Sequence, residues 1–214
     1  MLTQLEYAAT SLVSPPLGTK VLEPVRSPLK LGVLASGSGS NFAAIAAACA
    51  KDELPAQVQV MIYNNPNAKA AERAAQWQIP SRLLNHRSYA QREDLDHAII
   101  NTLQEFGVEW VVMAGWMRVV TPVLIDAFPE RILNIHPSLL PSFRGVRAVE
   151  QALAAGVKIT GCTVHLVVPE LDSGPILTQA AVPILPGDTP ETLHARIQVQ
   201  EHLILKQAIA LVAG

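Results

Sequence analysis

Lys30-Leu31-Gly32-Val33-Leu34-Ala35, Ser36-Gly37-Ser38-Gly39-Ser40-Asn41 and Phe42-Ala43-Ala44-Ile45-Ala46-Ala47-Ala48 follow one another without interruption. The first block is an apolar run of strand length, the second a Gly/Ser turn and the third a strong helix former. A strand that passes through such a turn into a helix N-terminus aims bare N–H groups and the positive helix end at an anion. The third glycine of a dinucleotide fingerprint is absent, and so is the P-loop lysine. The turn therefore points to a phosphate on an unspecified molecule, and a purely structural turn also accounts for it.

The alternation continues downstream. Val58 to Tyr63 reads as a second strand, Ala68 to Trp77 as a helix ended before Pro80, and Ser81 to Leu84 as a short third strand. From Tyr89 to Phe106 a helix sets Leu95, Ile99, Leu103 and Phe106 on one face. Arg92, near its start, reads by default as a solvated charge. Trp110 to Gly115 is a continuous apolar run suited to a buried parallel strand. Trp116-Met117-Arg118-Val119-Val120 then leaves its ligand-side end, as a slot for a flat heterocycle or as ordinary packing. Strands alternating with helices predict a doubly wound sheet.

Arg131-Ile132-Leu133-Asn134-Ile135-His136 reads as a short strand in which Asn134 and His136 share a face. Pro137 ends its pairing, so an amide and an imidazole project from the end of a strand where open α/β sheets bind ligands. An amide can donate to a developing oxyanion, and an imidazole can shuttle a proton near neutrality. A turn-capping Asn and a packed His are the plainer alternative.

Ala148 to Ala155 is a short helix ended by Gly156. Thr160 to Val168 is a strand with Thr163 and His165 on one face. The turn Pro169-Glu170-Leu171-Asp172-Ser173-Gly174 and the strand Pro175 to Pro183 complete an antiparallel hairpin. Asp172 is either a turn former or the partner of an imidazole. The last helix starts at Pro190 behind Thr189; Gln200 and Glu201 intrude on its apolar stripe and need polar partners.

The 214 residues suffice for one large α/β domain, here 29–214, preceded by residues 1–28 as a loose, non-catalytic extension. That extension is a weak match to a targeting peptide, because it carries Glu6 and Glu23 and few arginines. A formal net charge of -2 without a basic run gives no support for nucleic-acid binding. No stretch is long enough to span a membrane. Cys49 and Cys162, in apolar surroundings and no metal-type spacing, suit a reducing compartment, so a cytoplasmic location is expected.

Taken together, Ser36 to Asn41, Gly115-Trp116-Met117-Arg118, Asn134 to Pro141, Glu170 to Pro175 and Gln200-Glu201-His202 resemble the phosphoribosylglycinamide formyltransferase family. The resemblance runs from about Lys30 to the C-terminus, in order. It implies a Rossmann-like three-layer α/β fold with a mixed sheet, parallel in its N-terminal half and carrying an antiparallel hairpin in its C-terminal half. It also implies transfer of a formyl group from 10-formyltetrahydrofolate to glycinamide ribonucleotide, with no metal. Asn134, His136 and Asp172 match the catalytic trio. Gly39, Ser40, Asn41, Gln198, Val199, Gln200 and Glu201 match the ribonucleotide site. Arg92, Met117, Arg118, Val119, Val120, Asn134, Val168, Pro169, Glu170, Leu171 and Asp172 match the folate site, and Thr163 and His165 match supporting positions. A formyltetrahydrofolate hydrolase and a non-catalytic nucleotide-binding module are the alternatives. Monomer and homodimer both remain open, and Arg144 receives no role.

Overall fold

The structure, a computed structural model, describes residues 12–15 and 27–214; most of the expected N-terminal extension lies outside these. Eight strands form one sheet: β1 (Val13–Ser14), β2 (Leu29–Ala35), β3 (Ala56–Tyr63), β4 (Ser81–Leu83), β5 (Trp110–Met113), β6 (Ile132–His136), β7 (Ile159–Leu166) and β8 (Ile176–Pro183). Their order is β1-β8-β7-β6-β5-β2-β3-β4. The pairings from β4 through β6 are parallel, while β6–β7, β7–β8 and β1–β8 are antiparallel. The mixed sheet is the one expected. The edge strand Val13–Ser14 is an addition, since no periodicity marks it.

Helices α1 (Ser40–Ala50), α2 (Ala70–Gln76), α5 (Ala148–Ala154) and α6 (Pro190–Ala213) supply buried residues to the core on one side of the sheet. Helices α3 (Arg92–Glu105) and α4 (Pro122–Ala127) supply the other. Val33 and Val112 face the first core and Leu34 and Val111 the second, the period-two alternation of a strand covered on both faces. Leu95, Ile99 and Leu103 are buried as their spacing predicts. Helix α3 starts later than Tyr89 because Gln91 caps it, its N–H donating to Asp94 at 3.3 Å. Helix α4 was not expected from periodicity, although Thr121-Pro122 carries its start signal: the Thr121 hydroxyl accepts from the Val123 N–H.

Strand β2 has β3 on one side and β5 on the other, so the winding reverses between β2 and β5. Loops leaving the C-terminal ends of two such strands diverge and open a crevice. Here they are tied at its base: Ser36 N–H donates to the Gly115 carbonyl at 3.0 Å and Met117 N–H to Ser36 Oγ at 2.8 Å.

Candidate active site

One wall of the crevice is the Gly/Ser turn. Gly39 caps α1 with φ 69°, and a Cβ there would lie 2.8 Å from Ala70. Both the dihedral and the close approach of α2 therefore require glycine. The N–H groups of Ser38, Gly39, Ser40 and Asn41 meet no acceptor among the described residues. Helix α6 lies across this wall: Gln198 Nε2 donates to Ser40 Oγ at 2.8 Å and Asn41 Nδ2 to Glu201 Oε2 at 2.9 Å. Burial pushes the Glu201 carboxyl above its ordinary value, against the opposing effect of the Asn41 bond. Gln200 is half-buried with its Oε1 covered and unpartnered, whereas Val199 is 58% exposed. Of the four α6 positions singled out, Gln198 and Glu201 bond directly to the turn.

Deeper along the sheet, β6 carries Asn134 and His136, and the β7–β8 turn brings Asp172 to them. His136 Nδ1 lies 3.4 Å from Asp172 Oδ2, and His165 Nε2 lies 3.7 Å from Asp172 Oδ1. Asn134 Nδ2 is 3.1 Å from His165 Nε2. A carbonyl only accepts, so His136 Nε2–H donates to Phe143 at 2.9 Å and His165 Nδ1–H to Leu166 at 2.8 Å. The Asn134 amide thus meets the Nε2 edge of His165, the same edge that faces Asp172, and its second N–H takes no acceptor among the described residues. Asp172, at φ 48°, also receives the Gly145 N–H at 2.8 Å. Burial opposes its ionisation, but the His165 contact, the Gly145 N–H and the charge of His136 outweigh it, and the carboxyl sits below the ordinary range.

Around the crevice mouth, Met117 is 77%, Val119 50% and Leu171 52% exposed, with Arg118, Pro169 and Glu170 exposed and Val120 and Val168 half-buried. Exposed apolar side chains grouped by sequence on two site loops are what a flat organic ligand would cover. Trp116 is not among them: it is 7% exposed and packs into the second core. Arg92 is exposed as the first residue of α3.

A sequence profile described as "Formyl transferase" matches residues 29–209. The chain belongs to this family. Phosphoribosylglycinamide formyltransferase of Bacillus subtilis (strain 168) is 41% identical over 186 residues, 85% of this chain and 95% of the relative. The human trifunctional purine biosynthetic protein adenosine-3 is 42% identical over 86% of this chain, which spans only 18% of that relative's length. The crystal structure of glycinamide ribonucleotide transformylase 1 from Symbiobacterium toebii superposes with a TM-score of 0.86 at 46% identity, covering 87% of this chain and 88% of that one. The formyl transferase is thus of the phosphoribosylglycinamide formyltransferase kind.

Among the residues that hold the site of this formyl transferase, Thr163 is an expected supporting position, whereas Gln179 and Asp96 carry no signal in the sequence. Thr163 Oγ donates to the Ser138 carbonyl at 2.7 Å and accepts from Leu140 N–H at 3.1 Å, so it fixes the loop after β6 and does not touch Asp172. Gln179 Nε2 bridges the Leu140 carbonyl and Thr163 Oγ, each at 3.0 Å. Asp96, 2% exposed and raised by burial, accepts from Thr121 N–H at 2.6 Å and anchors the end of the Gly115–Val120 loop. Each lies far in sequence from the group it holds. Among the described residues no group of three or more His, Cys, Asp or Glu is arranged to hold a metal ion, and no helix is long and apolar enough to cross a membrane. Cys49 is free and burial pushes its thiol up to about 11.

Proposed function

We propose that this formyl transferase moves the formyl group of 10-formyltetrahydrofolate to the amine of glycinamide ribonucleotide, a cytoplasmic step of purine synthesis. The observation that carries the reading is the convergence of Asn134, His136 and Asp172 beside a turn whose N–H groups lack acceptors. Ser38 to Asn41 would take the phosphate, with Gln198 and Glu201 meeting the sugar and glycinamide end. Met117 to Val120, Val168 to Asp172 and Arg92 would hold the folate.

The amine nitrogen attacks the formyl carbon, forming a C–N bond and a tetrahedral oxyanion. Asn134 Nδ2 and protonated His136 donate to that oxygen, a contribution of about 2.7–4 kcal/mol for one such donor. Asp172 stabilises the imidazolium with its negative charge. Collapse breaks the bond to folate N10, which receives the proton lost by the amine, through His136 or through water. For His136 to reach substrate, the Phe143 carbonyl on its Nε2 must give way.

A coupled assay with glycinamide ribonucleotide as acceptor tests the reading. Tetrahydrofolate formed only with the acceptor supports it. Formate released without the acceptor identifies a hydrolase, and binding without turnover identifies a nucleotide-binding module.

A further inference from the structure

Helix α2 grips the Gly/Ser turn at two consecutive carbonyls. Ala70 N–H donates to the Gly37 carbonyl at 3.3 Å, and Arg73 Nε–H donates to the Ser38 carbonyl at 2.8 Å. In a planar trans peptide the carbonyl and the next residue's N–H point in opposite directions. Turning the Gly37 and Ser38 carbonyls onto α2 therefore turns the Ser38 and Gly39 N–H groups away from it. Those are two of the N–H groups that meet no acceptor.

Arg73 is half-buried and spends only Nε on the protein. Among the described residues its two Nη groups have no acceptor, and no carboxylate lies within ion-pair distance. Lys206 and Arg73 both bear on His202, whose imidazole is held low by burial first and by these two cations next. A guanidinium that is partly withdrawn from water without a counter-ion suits an anionic ligand.

We propose that Arg73 is the positioning residue of the phosphate-binding turn, locking the Ser38 carbonyl onto α2 and leaving its unpaired charge beside the cradle. Recognition of the acceptor's phosphate then turns on a residue outside the turn. This rests on the ribonucleotide reading of the site, and it assigns the discrimination between phosphorylated and unphosphorylated acceptors to Arg73.

The test compares glycinamide ribonucleotide with its dephosphorylated riboside on the full chain, using Arg73→Gln and Arg73→Lys. With the ribonucleotide, Arg73→Gln should raise KM about tenfold or more, as expected for one charge-assisted bond, with kcat and the folate KM within about twofold. With the riboside, kcat/KM of Arg73→Gln and wild type should agree within about twofold. Arg73→Lys keeps the charge without the planar fork and should fall between them. Equal losses with both acceptors, in either variant, would show a general structural role and overturn the assignment, as would an unchanged KM for the ribonucleotide. Failure of the unaltered enzyme to formylate the ribonucleotide would strike the functional reading instead.

Discussion

His136 gives its Nε2 proton to the carbonyl of Phe143 at 2.9 Å, on a residue held at φ 56°. A loop in the left-handed region thus caps the imidazole that is to face substrate, while its other nitrogen faces Asp172 at 3.4 Å. Both ring nitrogens therefore face acceptors, and on the proposed mechanism substrate competes with the Phe143 carbonyl for the outer proton of this ring.

Asp172→Asn preserves shape and removes the charge behind His136. Steady-state kinetics should give a kcat lower by about 10² or more, with KM for either substrate changed much less. The depressed Asp172 carboxyl also fixes a stability sign. It contributes stability above the unfolded value of about 3.9, lost as pH falls through the lower folded value. The Tm deficit of Asp172→Asn should therefore shrink below about pH 4 in calorimetry; a deficit constant from pH 7 to 3 would contradict the ion-pair account.

His136→Ala should be at least as damaging as Asp172→Asn. The double variant should be scarcely worse than His136→Ala alone, because groups that act as a unit are non-additive. Fully additive losses in that cycle would mean that the two side chains work independently.

Glu201 is raised by burial, so its sign is opposite. Its charged form costs stability, and that cost grows as pH rises through the folded value. Glu201→Gln should raise Tm at pH 8 and leave it nearly unchanged at pH 4, while raising KM for glycinamide ribonucleotide. A Tm difference of the same size at both pH values would show that charge burial is not its origin.

Gly39→Ala combines a positive φ with a Cβ 2.8 Å from Ala70. The left-handed backbone alone costs about 1–2 kcal/mol for an L-residue, before any shift of α2. Chemical denaturation should show at least that loss, and ribonucleotide binding should weaken as the turn distorts. Unaltered binding would mean that the turn is not the phosphate site.

The two substrates should separate at opposite walls of the crevice. Asn41→Ala should chiefly raise KM for the ribonucleotide, since Asn41 ties the turn to Glu201 at 2.9 Å. Met117→Glu puts a charge on a 77% exposed apolar position of the proposed folate wall and should chiefly raise the folate KM. Equal effects of each change on both constants would sink the division.

The sequence by itself determined the class of fold and the strand that carries Asn134 and His136. Apolar runs such as Trp110–Met113 and the strand–turn–helix at Lys30–Ala48 are local patterns, set by periodicity and by the φ freedom of glycine. Asn134 and His136 share a face because strands alternate, and that too is local. Tertiary structure decided the rest. Asp172 reaches His136 only because β7 folds back antiparallel on β6, and Asn41 meets Glu201 across 160 residues of chain. Trp116 reads as a site aromatic beside Met117 but packs into the core, because its direction depends on which helix covers β5. Arg73 and Asp96 look like ordinary helix-surface charges until a loop is laid against them. Hydrogen bonds between groups far apart in the chain leave no periodic trace, and they aim the side chains that local patterns merely supply.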